Sequence, residues 1–228
     1  MAEQQRHLVV AIDGPAGSGK STVARRVAEA LACTLLDTGA LYRSLALLAR
    51  ERGVPWDDGP ALAALAREMV VGFRRDGDRN RVLLETEQGE RDVSDGIRTL
   101  EVSLGASRVS AIAEVRAALL ELQRDFARRG ALVAEGRDMG TVVFPQARVK
   151  VFLVADPEVR ARRRHRELLQ AGREVSFEQV LSEQLERDEA DSGRAVAPLR
   201  PAPDARSIDT SAMSIDEVVA AVLDLVPR

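Results

Sequence analysis

Short apolar runs alternate along the chain with longer segments of helical period. Residues 8–12, 34–36, 131–134, 149–154 and 207–209 read as strands. Helical patterns lie between them, so the alternation predicts an α/β fold: a parallel sheet with helices on both faces. The segment 22–31 reads as the first helix. Later helix starts carry their own signals: Asp156 before Pro157 as an N-cap with proline at the first helical position, and Ser176 with Gln179 and Ser214 with Glu217 as capping boxes. These are structural marks, not chemistry.

Two segments break the rhythm. Over 68–97 the pattern shortens to β-prone pieces at 69–74, 81–87 and 91–93, separated by Asp76-Gly77-Asp78 and Gln88-Gly89 turns, which predicts a small antiparallel β insert. Residues 159–194 are polar and rich in arginine and glutamate, with Gly172 and Gly193 as flexible points. They predict a helical hairpin with few core residues, hence a mobile lid over about 157–194. Pro198, Pro201 and Pro203 mark a stiff surface connection. One domain over 1–228, with the insert and the lid as its appendages, is the expected organisation.

Between the first strand and the first helix stand Gly14, Pro15, Ala16, Gly17, Ser18, Gly19, Lys20 and Ser21, followed by Thr22. They match the phosphate-binding P-loop GxxxxGK[ST] at every fixed position and in the strand, loop, helix context that it requires. The three glycines permit backbone angles that turn successive amides inward toward phosphate oxygens, with the positive end of the helix dipole behind them. The expected ligand is a nucleoside triphosphate. Lys20 would reach its β and γ phosphates, and the Ser21 hydroxyl would face Mg²⁺.

Composition narrows the remaining choices. With 33 lysines and arginines against 36 aspartates and glutamates, the net charge is −3, which disfavours a general nucleic-acid surface. Cys33 is the only cysteine, so no internal disulfide framework exists; its expected role is that of a small buried hydrophobe. With two histidines beside it, a structural zinc site is not expected. Neither a membrane-length apolar run nor a signal-like core follows the polar residues 1–7, so the expectation is a cytoplasmic protein with no membrane partner.

A P-loop alone does not choose between kinases, GTPases and ATP sensors. Asn80, the only asparagine, lies in Arg79-Asn80-Arg81, and no aspartate has glycine three residues on, so the NKxD and DxxG elements of GTPases are missing. The arginines instead suggest transfer to a second anionic substrate. Arg43 opens a helix after the second strand, and Arg137 follows the 131–134 strand in a glycine-flanked loop. Arg160, Arg162, Arg163 and Arg164 crowd one helix, with Arg187 and Arg194 along its partner. Two polyanions brought within reacting distance need neutralisation and fixed geometry, which guanidinium forks supply. Lys20, Arg137, Arg194 and Arg163 are the expected catalytic groups, although a helical arginine such as Arg162 commonly only solvates a face.

Taken together, IDGPAGSGKST at 12–22, LLDTGALYR at 35–43, DVSDGIRT at 92–99, EGRDMGTVVFP at 135–145 and RDEADSGRAVAPL at 187–199 resemble the bacterial cytidylate (CMP) kinases among the P-loop nucleoside monophosphate kinases. The resemblance covers nearly the whole chain, and the β-rich insert agrees with it. It implies transfer of the γ-phosphoryl group of ATP to CMP, and to dCMP, giving CDP or dCDP and ADP. By the same resemblance Thr38, Arg43, Arg137 and Arg194 serve the CMP phosphate or the group in transfer. Ser107, Arg116 and Asp138 read cytosine, and Arg187 and Asp191 lie near the sugar. Thr38 stands where other members often have serine, and Ser21 where some relatives have glycine. Asp138 can accept from the cytosine amino group and repel the uracil carbonyl, or instead orient Arg137. A kinase for UMP, AMP or another small acceptor, and an ATP-sensing module, are the alternatives. The expected state is a monomer.

Overall fold

The structure, a computed structural model, describes residues 8–77, 79–87, 89–170 and 172–227. Residues 1–7, Asp78, Gln88, Ala171 and Arg228 lie outside them, and with Asp78 and Gln88 part of each expected turn. The chain divides into two compact units, Thr34–Leu132 and Leu8–Cys33 with Val133–Arg228.

In the second unit the strands β1 (Val9–Asp13), β6 (Leu132–Gly136), β7 (Val149–Val154) and β8 (Arg206–Asp209) lie in the order β6-β1-β7-β8. Strand β1 pairs parallel with β7, Val10 opposite Val149, and β7 pairs parallel with β8. A parallel strand needs cover on both faces, which explains why β1 and β6 are continuous apolar runs, not alternating ones. Val10, Ala11, Ile12, Leu132, Val133 and Ala134 are all fully buried. Helix α1 (Lys20–Ala30) packs on the C-terminal helix Ile215–Leu223 through buried Val23, Val27, Val218 and Val222. Arg26 and Asp216 close the contact at 2.6 Å.

Within 157–194 two packed helices, Pro157–Gln170 and Phe177–Ser192, form the expected hairpin. The Asp156 carboxylate accepts from the amides of Glu158 and Val159 at 2.9 and 3.3 Å. Ser214 and Glu217 form a full capping box. Only half of the Ser176 box is made: Ser176 Oγ accepts from the Gln179 amide at 3.1 Å, but the Gln179 side chain donates forward to Glu183 instead of back to the cap. Cys33 is half-buried where a buried residue was expected; burial still pushes its thiol up to about 11, leaving little reactive thiolate at neutral pH.

In the first unit β2 (Thr34–Asp37) leads into α2 (Thr38–Glu51), and the three strands β3 (Val71–Asp76), β4 (Arg79–Thr86) and β5 (Gly89–Asp92) form an antiparallel sheet in sequence order. The insert's strands are thus as expected, with Val93 just past the last of them. The helices α3 (Gly59–Glu68), α4 (Leu100–Val109) and α5 (Ala113–Arg128) complete the unit: α3 packs on α5 and α2 on α4. Gly105 lies under the Trp56 ring, where a Cβ would come within 2.5 Å of ring carbons; the indole N–H donates to the Ala46 carbonyl at 3.0 Å. The fold class read from the sequence, a parallel sheet flanked by helices together with a small antiparallel sheet, is the observed one.

Candidate active site

The phosphate-binding loop takes the backbone form its glycines permit. Gly14, Gly17 and Gly19 have φ of +150°, +74° and +89°. At Gly14 a Cβ would stand 2.2 Å from the Leu153 carbonyl oxygen, backbone that cannot swing away. Gly14→Ala is therefore expected to cost about 2 kcal/mol or more of stability, read as a lower urea midpoint at nearly unchanged m. Gly19 sits at the N-cap of α1, which has no side-chain cap and no acidic residue in its first turn. Its amides are left for an anion.

Lys20 is buried, and its ammonium donates to the Pro15 carbonyl at 2.7 Å, bridging the loop from within. Burial, then the charges of Arg137 and Arg187 against the partial relief of Glu135 and Asp13, lower its pKa to about 7. Ser21 is exposed and donates to Glu135 Oε2 at 2.9 Å. Ser18 Oγ is buried without a hydrogen-bond partner.

Two further side chains from distant sequence tie the loop down. Arg160, 4% exposed, donates to the carbonyls of Ala155 and Ala16 at 2.9 and 3.0 Å and pairs with Asp188 at 2.7 Å. Both helices of the hairpin are thereby joined to the phosphate loop. Thr210, just past β8, donates to the Ser18 carbonyl at 3.2 Å, and Arg163 holds Thr210 through its carbonyl and hydroxyl at 2.7 and 3.3 Å. Arg163 thus stands on the Thr210 main chain, while Arg162 and Arg164 are exposed and paired with Glu158 and Glu167. In this helix the inner face carries Arg160 and Arg163, three residues apart.

The loop after β6 carries Arg137 and Asp138. Arg137 Nε donates to Asp191 Oδ2 at 2.8 Å, and Arg194 Nη2 donates to the other oxygen, Oδ1. Asp191 is buried, which alone would raise its pKa; Arg137, Arg194 and Arg187 outweigh that and hold it below the usual carboxylate range. The structure therefore gathers Lys20, Arg137, Arg187, Asp191 and Arg194 into one electrostatic cluster in the second unit. Asp138 is buried beside them, close enough to Asp13 to repel it.

The first unit holds the remaining predicted positions. Thr38 is buried at the start of α2, whose N-cap Asp37 accepts from the Ala40 amide at 2.8 Å. The same carboxylate accepts from Arg43 Nη2 at 3.0 Å, orienting the guanidinium, and Arg43 Nε is buried without a partner. Arg116 is buried, lies 5.7 Å from the Tyr42 ring centroid and donates to the Ser110 carbonyl at 3.1 Å. Ser110 in turn donates to the Ser107 carbonyl at 3.0 Å, so Ser107 and Arg116 share one neighbourhood.

Sequence reasoning missed the supporting groups. Asp37, Glu135 and Asp188 stand inside the quoted motifs but had no assigned partner, and nothing local signals Thr210. Among the described residues no group of three or more His, Cys, Asp or Glu side chains is arranged to hold a metal ion, and no helix is long and apolar enough to cross a membrane.

A solved structure of an uncharacterized protein from Eubacterium ventriosum shares the fold, with a TM-score of 0.53 at 12% identity over 95% of this chain and 96% of its own. The cytidylate kinase of Neisseria gonorrhoeae is 51% identical over 219 residues, 96% of this chain and 97% of its own. That of Carboxydothermus hydrogenoformans is 48% identical over the same shares. The family model for cytidylate kinase matches residues 10–228. A phosphate loop with its lysine, an arginine cluster fixed on a buried carboxylate, and this likeness along nearly the whole chain together place the protein in the cytidylate kinase family.

Proposed function

We propose that the chain transfers the γ-phosphoryl group of ATP to CMP, and to dCMP, releasing ADP and CDP or dCDP. The observation that carries this is the crowding of cations at the phosphate loop: Arg137 and Arg187 stand close enough to Lys20 to add to the loss of proton affinity that its burial chiefly causes. Such a cluster is costly alone and becomes favourable once polyanions enter it. Family membership supplies the acceptor.

The acceptor phosphate oxygen is already ionised at neutral pH. It forms the new P–O bond at the γ-phosphorus as the bond to the β-bridging oxygen breaks and ADP leaves with that electron pair, so no strong general base is needed. Residues 14–22 hold the ATP phosphates. Lys20, Arg137, Arg194 and Arg163 stabilise charge on the transferring group. Thr38 and Arg43 serve the acceptor phosphate, Ser107, Arg116 and Asp138 the base, and Arg187 and Asp191 the sugar. Closure of the 157–194 hairpin excludes water from the reaction.

Mg²⁺ belongs to this reading. The Ser21 hydroxyl, 2.9 Å from the Glu135 carboxylate, offers the hard oxygen donors that suit an ion bound mainly by phosphate and water; there it would offset charge on the phosphate oxygens. We assign the protein to the cytoplasm, as a monomer acting on small nucleotides without nucleic-acid or membrane partners.

An ADP-release assay with CMP, dCMP, UMP and AMP tests the acceptor. CMP and dCMP are expected to lead, and UMP or AMP used as well as CMP would overturn the assignment. Asp138→Asn is expected to lower the CMP over UMP preference in kcat/KM by about tenfold or more, because an amide serves either base.

A further inference from the structure

We infer that Asp13 is a positioning residue for this reaction: through the amides of Met139 and Gly140 its carboxylate fixes the loop that presents Arg137 and Asp138. Asp13 ends β1 immediately before the phosphate loop and is 4% exposed. Its two oxygens accept separately from two successive amides, Met139 N to Oδ1 and Gly140 N to Oδ2, both at 2.8 Å. These amides open the π-helical turn Met139–Val143. They have no partner within the turn, and a negative charge is favourable at that end.

The arrangement is more demanding than a cap requires. A serine or asparagine satisfies one amide, and the Asp138 side chain, which occupies the N-cap position, makes no cap bond here. Only an ionised carboxylate accepts at both oxygens. Burial raises the Asp13 pKa to about 6, against the two amide bonds, with Asp138 adding repulsion and Lys20 relieving it. The other nearby cation, Lys150 on β7, packs its stem under Gly140 and spends its ammonium on Asp204 and the Pro145 carbonyl. Gly140 is closely packed: a Cβ there would sit 3.3 Å from Lys150 Cδ and 3.4 Å from Asp13 Oδ2. Two residues before these amides stands Arg137, whose fork must meet Asp191 at 2.8 Å. A slip of the turn therefore moves both the transfer arginine and the base-reading carboxylate, while Lys20 keeps its own anchor on Pro15.

The inference rests on the reading that Arg137 serves transfer and Asp138 the base, and the test separates the two. Wild type, Asp13→Asn and Asp138→Asn are compared in steady state with CMP and UMP, and by calorimetry with ATP. For Asp13→Asn we expect kcat with CMP to fall about 100-fold and KM for CMP to rise, with ATP affinity held within about threefold. Unchanged kcat and KM would overturn the inference, as would a loss of ATP affinity by the same factor, which marks a merely structural role. A wild type without CMP preference would sink the reading of Asp138 and leave the kcat comparison to judge Asp13. Should Asp13→Asn not fold, hydrogen exchange on the wild type decides: slow exchange at the Met139 and Gly140 amides is expected, and exchange at unstructured rates overturns the clamp.

Discussion

Lys20→Ala is expected to lower kcat by about 10³-fold while leaving the fold in place, the loss anticipated for one preorganised donor at a charge-developing centre. The side chain is buried, but its polar partner in the structure is a single carbonyl of its own loop, Pro15. Removing it frees that carbonyl, and relieves a cation that Arg137 and Arg187 already disfavour. Thermal stability should therefore change little or rise. A Lys20 only about half protonated near pH 7 also means that bound phosphates draw a proton onto it: anion binding raises the lysine pKa, so the protein takes up protons when ATP binds near neutral pH. Calorimetry in buffers of differing ionisation enthalpy reads that uptake, and the Lys20→Ala variant should lack it. Unchanged kinetics in a folded variant would remove Lys20 from the chemistry.

Arg137→Ala is expected to combine two losses. Turnover should fall by about 10²-fold to 10³-fold, because the arginine just past β6 is a fork fixed on Asp191 within the cationic cluster. Stability should fall by about 2 kcal/mol, because Asp191 keeps Arg194 and the charge of Arg187 but loses a hydrogen-bonded ion-pair partner while remaining buried. The sign with pH follows from the direction at Asp191. Its folded pKa lies below the unfolded value of 3.8, so this contribution is complete above about pH 4 and is lost as pH falls through the folded value. Without Arg137 the Asp191 pKa rises, and acid unfolding should begin at higher pH. Arg137→Lys restores a charge but not the fork, and should recover stability better than kcat. Arg162→Ala is the control: an exposed pair with Glu158 contributes under about 1 kcal/mol.

Much of the fold was legible because the parallel strands are buried on both faces and so carry apolar runs without alternation, as at Val9–Ile12 of β1 and Val151–Val154 of β7. The phosphate loop was legible because its backbone angles demand glycine at fixed spacing. Helix α4 was obscure for a physical reason. Exposed Leu100 and Leu104 blur the apolar stripe of α4, whose buried face is Val102, Gly105, Ala106 and Val109, with Gly105 against Trp56. Within the site, charge-bearing residues could be named from local motifs, but their partners could not. Thr210 meets the Ser18 carbonyl across 192 positions, and Asp13 meets Gly140 across 127. Of the four crowded arginines, only the fold decides that Arg160 and Arg163 turn inward.

Phosphorus NMR of the protein mixed with ATP, Mg²⁺ and CMP follows the terminal group itself. The account predicts one CDP formed for every ADP, with no inorganic phosphate above the rate seen without CMP. ADP appearing with free phosphate and no CDP would contradict it.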